Sequence, residues 1–164
     1  MESLAGKIAL VTGAGSGLGR AGALVTDLDE ARARETAAAI AATGGSIVNT
    51  ASSMARLPLG ALDAYAASKG GVALLTQSMA PGCGPLGIRV NAICPGSVDT
   101  PMNALIWGTE ALKEGFTRGH ATGLQTVEKI AELVVFLASE ASRSLTGAVL
   151  ACESGWTAFK PPAA

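Results

Sequence analysis

Ile8-Ala9-Leu10-Val11-Thr12-Gly13-Ala14-Gly15-Ser16-Gly17-Leu18-Gly19 joins an apolar run to a glycine-rich loop. Four apolar residues in a row, without alternation, read as a strand buried on both faces, which is the mark of a parallel sheet. Glycines in the loop permit a tight turn and let backbone N–H groups approach a pyrophosphate at the positive end of the next helix. An ordinary turn has the same composition, so the loop gains meaning only from what surrounds it.

Outward from that stretch, Leu24-Val25-Thr26 reads as a second strand ending at Asp27. A carboxylate there accepts hydrogen bonds from a ribose 2′-hydroxyl and repels a 2′-phosphate. Ser16 stands where a basic residue would receive that phosphate, so both positions favour NAD over NADP. A solvated turn acid beside Asp29 and Glu30 is the other reading of Asp27. An alanine-rich helix comes next over 30–42, stopped by Gly44-Gly45, and a strand restarts at 46–49. A helix over 64–79 ends at Pro81-Gly82; a strand over 88–93 is broken by Pro95-Gly96. Thr126 is an N-cap for a helix reaching about Ser139, with Glu128 well placed in its first turn. That helix is apolar nearly all round over 133–138, which places it in a core or an interface. The last strand is 148–151, and Lys160-Pro161-Pro162 stops regular structure. Strands alternating with helices predict an α/β, Rossmann-like doubly wound parallel sheet, in a single domain over 1–164.

Three constellations carry chemistry. Tyr65 and Lys69 are four apart, hence on one face of their helix. An ammonium beside a phenol favours the phenolate, which suits the pair to proton donation and acceptance near neutral pH. Ser52 lies just past the 46–49 strand, at the sheet edge where parallel sheets bind ligands. Pro95-Gly96-Ser97-Val98-Asp99-Thr100-Pro101 turns the chain over the same edge, with a hydroxyl at Thr100 able to bond a cofactor amide.

Taken together, T-G-x-x-x-G-x-G at 12–19, N-x-x-S at 49–52, Y-x-x-x-K at 65–69 and P-G-x-V-x-T at 95–100 resemble the short-chain dehydrogenases/reductases. Phe136-Leu137-Ala138-Ser139 leading to Leu145-Thr146-Gly147 resembles the family's ending. The resemblance implies hydride transfer between NAD(H) and a secondary alcohol or ketone. In that scheme Tyr65 is the acid/base, Lys69 its activator and a ribose ligand, and Ser52 the substrate-orienting donor. Cofactor contacts fall on Gly13, Ser16, Gly17, Leu18, Gly19, Asp27, Tyr65, Lys69, Pro95, Gly96, Val98 and Thr100, the last two at the nicotinamide. A dimer or tetramer of identical subunits is implied as well.

The chain also departs from the family. Gly19 and Asp27 are eight positions apart, where a dinucleotide fingerprint spans about 20. Two further strands, the N-N-A-G strand end and a proton-relay asparagine are absent between 44 and 47, and the last glycine-rich signature, 151–155, is altered. The family places one missing strand between the first strand and the one that leads to Ser52. These internal deletions support a second expectation, a non-catalytic remnant serving as a binding or oligomerising module.

Composition narrows the partners. The 164 residues are 49 % hydrophobic and 15 % charged with a net charge of −1, which leaves no basic face for nucleic acid and no polybasic run for a membrane. No stretch reaches about 18 apolar residues, so a cytoplasmic setting is expected. Three cysteines, Cys83, Cys94 and Cys152, fall in no C-x-x-C pair, so neither a disulfide framework nor a metal site is expected. His120, in a glycine-rich stretch, reads as a surface loop residue; Trp107 and Phe116 read as a mobile substrate cover or its packing. Cys152 reads as a small apolar residue rather than a reactive one.

Overall fold

Continuous apolar stretches at 46–48 and 90–94 form the two inner strands. In the computed structural model, which describes residues 9–11 and 45–158, four strands build a parallel sheet in chain order. They are β1 (Ala9–Val11), β2 (Gly45–Thr50), β3 (Ile88–Pro95) and β4 (Val149–Cys152). Val11 lies opposite Val48, Ile47 opposite Val90, and Pro95 opposite Cys152. The parallel α/β architecture expected from the sequence is present. Strand β1 pairs with β2 directly, with no strand between them. The expected strand at 24–26, the helix at 30–42 and the tail at 160–162 lie outside the described residues.

Helix α1 (Asp63–Cys83) joins β2 to β3. Short helices α2 (Pro101–Trp107) and α3 (Glu110–Arg118) and then α4 (Val127–Ala138) join β3 to β4. Alternation along β2 sends neighbouring side chains to opposite faces of the sheet. Ile47 packs with Ala80, Ile88 and Val90 beneath α1, while Val48 packs with Ile93, Val98, Ile130, Val134 and Leu137 beneath α4. The sheet is therefore wound on both sides.

Polar ties fix each helix to it. Asn49 Nδ2 donates to Thr76 Oγ1 at 2.9 Å, and that hydroxyl donates to Val72 O at 2.8 Å, anchoring α1. Arg89 donates to the carbonyls of Leu137 at 2.8 Å, Ser139 at 3.1 Å and Leu145 at 3.4 Å. These carbonyls include the C-terminal end of α4, which a helix cannot satisfy internally and where a cation is favoured. Burial pulls the Arg89 guanidinium below its ordinary range, and Glu140 pushes back. Asn91 Nδ2 donates to Leu145 O at 2.9 Å and its Oδ1 accepts from Ala148 N at 3.1 Å, bracketing the loop before β4.

One expectation needs correction. Helix α1 does not stop at Pro81-Gly82 but runs through both to Cys83. Pro81 costs one backbone hydrogen bond, yet Ala80 is buried and Met79 and Cys83 pack against the same cluster, which holds the last turn. Helix α4 lays one side of its apolar stretch on the sheet and keeps an apolar residue on the outside. Ile130, Val134, Leu137 and Ala138 face inward, whereas Phe136 is 39 % exposed. Its start is as read: Thr126 Oγ1 accepts from Lys129 N at 3.4 Å.

Candidate active site

In a parallel sheet all strands end on one edge, and the segments leaving them gather there. Past β2 come Ala51 and Ser52, past β3 the turn at 96–100, and past β4 Glu153. Ala51 N donates to Ile93 O at 2.8 Å, which fixes the exit from β2. Ser52 is buried, and its Oγ accepts from Met54 N at 3.2 Å, capping the 3₁₀ turn Ser53–Ala55. Its own hydroxyl hydrogen has no acceptor among the described residues, so Ser52 retains a donor.

Helix α1 brings Tyr65 and Lys69 to the same edge. Lys69 Nζ donates to Thr50 O at 3.1 Å and stands 5.6 Å from the centroid of the Tyr65 ring. Tyr65 is 45 % exposed, and its hydroxyl has no partner among the described residues. The lysine thus bridges the last carbonyl of β2 and the phenol one helical turn before it.

The turn after β3 is held from three sides. Gly96 N donates to Cys152 O at 3.3 Å; Gln125 N donates to Ser97 O at 3.1 Å; Asp99 N donates to Gln125 O at 3.0 Å. Asn103 Nδ2 donates to Val98 O at 2.7 Å, and Thr100 Oγ1 accepts from Asn103 N at 3.4 Å as the cap of α2. A side chain at 96 would stand 2.9 Å from His120 Nε2 and 3.0 Å from Glu153 Cα, so the close packing here requires glycine. The Val98 side chain is buried, yet its N–H has no partner among the described residues. A buried N–H left open at the sheet edge suits a carboxamide acceptor. With the ammonium of Lys69, it is what the nicotinamide end of a dinucleotide requires, and on these observations that end fits.

Beyond Thr100, a shallow cleft of about 250 Å³ between α2 and α3 is lined by Asp99, Ala104, Trp107, Thr109 and Lys113. Asp99 and Lys113 pair at 3.2 Å. Trp107 is buried against Phe116, their ring centroids 6.4 Å apart.

Ser52, Tyr65, Lys69, Pro95, Gly96, Val98 and Thr100 thus share one sheet edge. Gly13, Ser16, Gly17, Leu18, Gly19 and Asp27 lie outside the described residues. His120 is a correction: it is buried, not on the surface, and bonded to the turn through Ser97 N at 3.2 Å. Its sequence neighbours carry no signal of this, because its burial comes from residues far away in the chain. Burial pushes the Cys94 thiol up, and that of Cys152 up to about 12, which suits apolar packing better than nucleophilic work. Among the described residues no group of His, Cys, Asp and Glu could hold a metal ion, and no helix is long and apolar enough to cross a membrane.

The chain is similar to known proteins. Residues 31–157 match the family described as enoyl-(acyl carrier protein) reductase. Trans-4-hydroxycyclohexanecarboxylate dehydrogenase of Sinomonas cyclohexanicum is 42 % identical over 73 % of this chain and 44 % of its own. A gluconate 5-dehydrogenase from Burkholderia cenocepacia, solved with NADP and tartrate, superposes with a TM-score of 0.72 at 28 % identity, covering 79 % of this chain and 51 % of its own. A 4-hydroxyisoleucine dehydrogenase complexed with NADH gives 0.71 at 31 % identity, covering 77 % of this chain and 54 % of its own. The chain spans about half the length of these relatives. The parallel sheet covered on both faces, the Tyr65–Lys69 pair above the end of β2 and the match over residues 31–157 lead to one conclusion: the chain belongs to the short-chain dehydrogenase/reductase family.

Proposed function

We propose that this protein is an oxidoreductase that interconverts a secondary alcohol and a ketone with a nicotinamide dinucleotide, NAD in preference to NADP. The observation that carries the reading is the position of Lys69 Nζ, 3.1 Å from Thr50 O and 5.6 Å from the Tyr65 ring. When bound, the nicotinamide supplies the hydride for reduction or accepts it in oxidation. The remaining work falls to the chain. Ser52 donates its free hydroxyl hydrogen to the substrate oxygen and orients it. Tyr65 gives a proton to that oxygen in reduction and takes it back in oxidation. Lys69 stabilises the phenolate so formed and contacts the ribose. The Val98 N–H receives the carboxamide, while Pro95, Gly96 and Thr100 line its approach. Gly13, Ser16, Gly17, Leu18 and Gly19 bind the phosphates, and Asp27 the adenosine ribose.

Tyr65→Phe tests the assignment. It should lower turnover by about 10²- to 10⁴-fold, the usual share of a general acid, and leave cofactor binding nearly unchanged. Equal activity in the variant would refute the role of Tyr65.

A second reading has its own observation. Strand β1 lies directly on β2, which supports a remnant that keeps the sheet but binds no dinucleotide. Calorimetric titration separates the two: saturable binding of NAD or NADH removes the remnant, and no binding at millimolar cofactor removes the enzyme. In either case we read the chain as a homo-oligomer that meets its partner through α4 and β4.

A further inference from the structure

His120 is the residue at this sheet edge whose chemistry is most constrained. It lies just past α3 and is buried. Its Nδ1 stands 2.6 Å from Phe116 O, and its Nε2 accepts from Ser97 N at 3.2 Å. A carbonyl only accepts and a backbone amide only donates, so Nδ1 carries the hydrogen and Nε2 presents its lone pair. Both bonds are made only by the neutral ring in that one tautomer.

The surroundings are cut to fit it. The ring stacks on Trp156 with centroids 4.8 Å apart, and Trp156 in turn stacks on Phe116 at 5.9 Å. A side chain at Gly119 would collide with the Trp156 ring at Cζ3, and one at Gly96 would stand 2.9 Å from His120 Nε2. Two glycines therefore clear the space for this stack and for its bond to the turn.

We propose that His120 is a positioning residue of the site: as the neutral ring it holds the turn at 96–100 in the shape that presents the Val98 N–H, and a second proton on the ring releases that turn. The proposal rests on the reading of that N–H as the carboxamide contact. Protonated Nε2 would point a second N–H at the Ser97 amide, turning an attraction into a repulsion between two donors. Of the charged groups on the elements around the ring, Glu153 is the near one: a side chain at Gly96 would meet both His120 Nε2, at 2.9 Å, and Glu153 Cβ, at 3.0 Å. On α3, Glu110, Glu114 and Arg118 are exposed and Lys113 pairs with Asp99 of the turn. Past β4, the buried Glu153 carboxylate accepts from the N–H and hydroxyl of Thr157, which orients it without neutralising its charge. The thiols of Cys94 and Cys152 at the strand ends are held neutral by burial. Residues 121–125 carry no charge.

Two variants and two readouts test this. His120→Gln keeps an acceptor near the place of Nε2 and does not titrate; His120→Phe keeps the stack on Trp156 and removes the acceptor. The first readout needs no cofactor: the Ser97 and Val98 amide resonances, followed over a pH range wide enough to protonate the ring. They should shift with the His120 ring in the native protein and stay in place in the Gln variant. The second is the NADH dissociation constant over the same range. It should weaken about tenfold towards acid in the native protein, stay flat in the Gln variant and be weak throughout in the Phe variant, as loss of one such bond predicts. Amide resonances that ignore the ring, or one acid profile shared by the native and Gln proteins, would overturn the proposal. If the resonances follow the ring but NADH binds at no pH, the tether stands and the functional reading fails.

Discussion

Lys69 Nζ donates to the carbonyl oxygen of Thr50 at 3.1 Å, tying the middle of a helix turn to the last residue of the strand that leads to Ser52. The bond spans 19 positions of sequence and sets how α1 rides over the sheet edge. Lys69→Met removes the charge and the donor but keeps most of the stem. It should cut turnover by about 10²-fold or more and weaken cofactor binding as well, because our proposal assigns the same ammonium to the ribose. Tyr65→Phe should alter turnover alone. A Met variant with native cofactor affinity and reduced turnover would confine Lys69 to the proton step.

The proposed preference for NAD turns on Asp27, together with the non-basic Ser16. Relatives have been solved with NADP and with NADH, so our proposal rests on the charge at Asp27 rather than on the family. Asp27→Ala should raise the Kd for NAD by about tenfold, the worth of a hydrogen bond to a charged group, and improve the affinity for NADP. A native protein that already prefers NADP contradicts the argument.

Asn91 satisfies Leu145 O and Ala148 N from within the sheet at 2.9 and 3.1 Å. Asn91→Leu fills the same volume but strands both backbone groups. Urea unfolding should show a loss of about 2–3 kcal/mol, with no change in the spectroscopic signature of the helices. A loss below about 0.5 kcal/mol would mean that the loop before β4 reorganises freely.

Cys152 makes the fold sensitive to alkali. Burial, with Cys94 beside it, pushes its thiol from an ordinary 9.0 up to about 12. The folded chain keeps a proton that the unfolded chain gives up near 9.0, so the unfolded state binds fewer protons in that window. Stability from this group is complete below about pH 9 and lost as pH rises through about 12. Cys152→Ala should flatten the fall of Tm above about pH 9. Parallel curves for the two proteins would assign that fall to other groups.

Assembly is tested on the outer face of α4. Leu137 is fully buried, so an acidic residue there would unfold the chain and report nothing about partners. Phe136 is the exposed apolar residue of that helix, and Phe136→Glu should leave the fold intact and halve or quarter the mass seen by light scattering. A native protein that is monomeric at micromolar concentration ends the proposal.

Sequence makes legible what sequence neighbours decide. The cap at Thr126, the apolar runs of β2 and β3 and the four-residue spacing of Tyr65 and Lys69 depend on contacts within a turn or a strand. The end of α1 escapes such reading because Pro81 obeys a local rule that the burial of Ala80 overrides. His120 escapes it for the converse reason. Glycine on one side predicts an exposed loop, but the ring is covered by Ser97, 23 positions earlier, and by Trp156 beyond β4. Face assignment on α4 is equally out of reach, since Phe136 and Leu137 are both strongly apolar and only the sheet beneath distinguishes them.

The direct pairing of β1 with β2 makes cleft width a counted quantity. Neighbouring strands stand about 4.8 Å apart, so each strand inserted or removed between these two changes by one such step the distance between the end of β1 at Val11 and the end of β2 at Thr50. A ligand that spans those two strand ends would have to be matched to a whole number of steps. With Val11 set against Val48, this sheet holds the shortest of those spans, and molecules of graded length, from a mononucleotide to a full dinucleotide, would measure it as a ruler does.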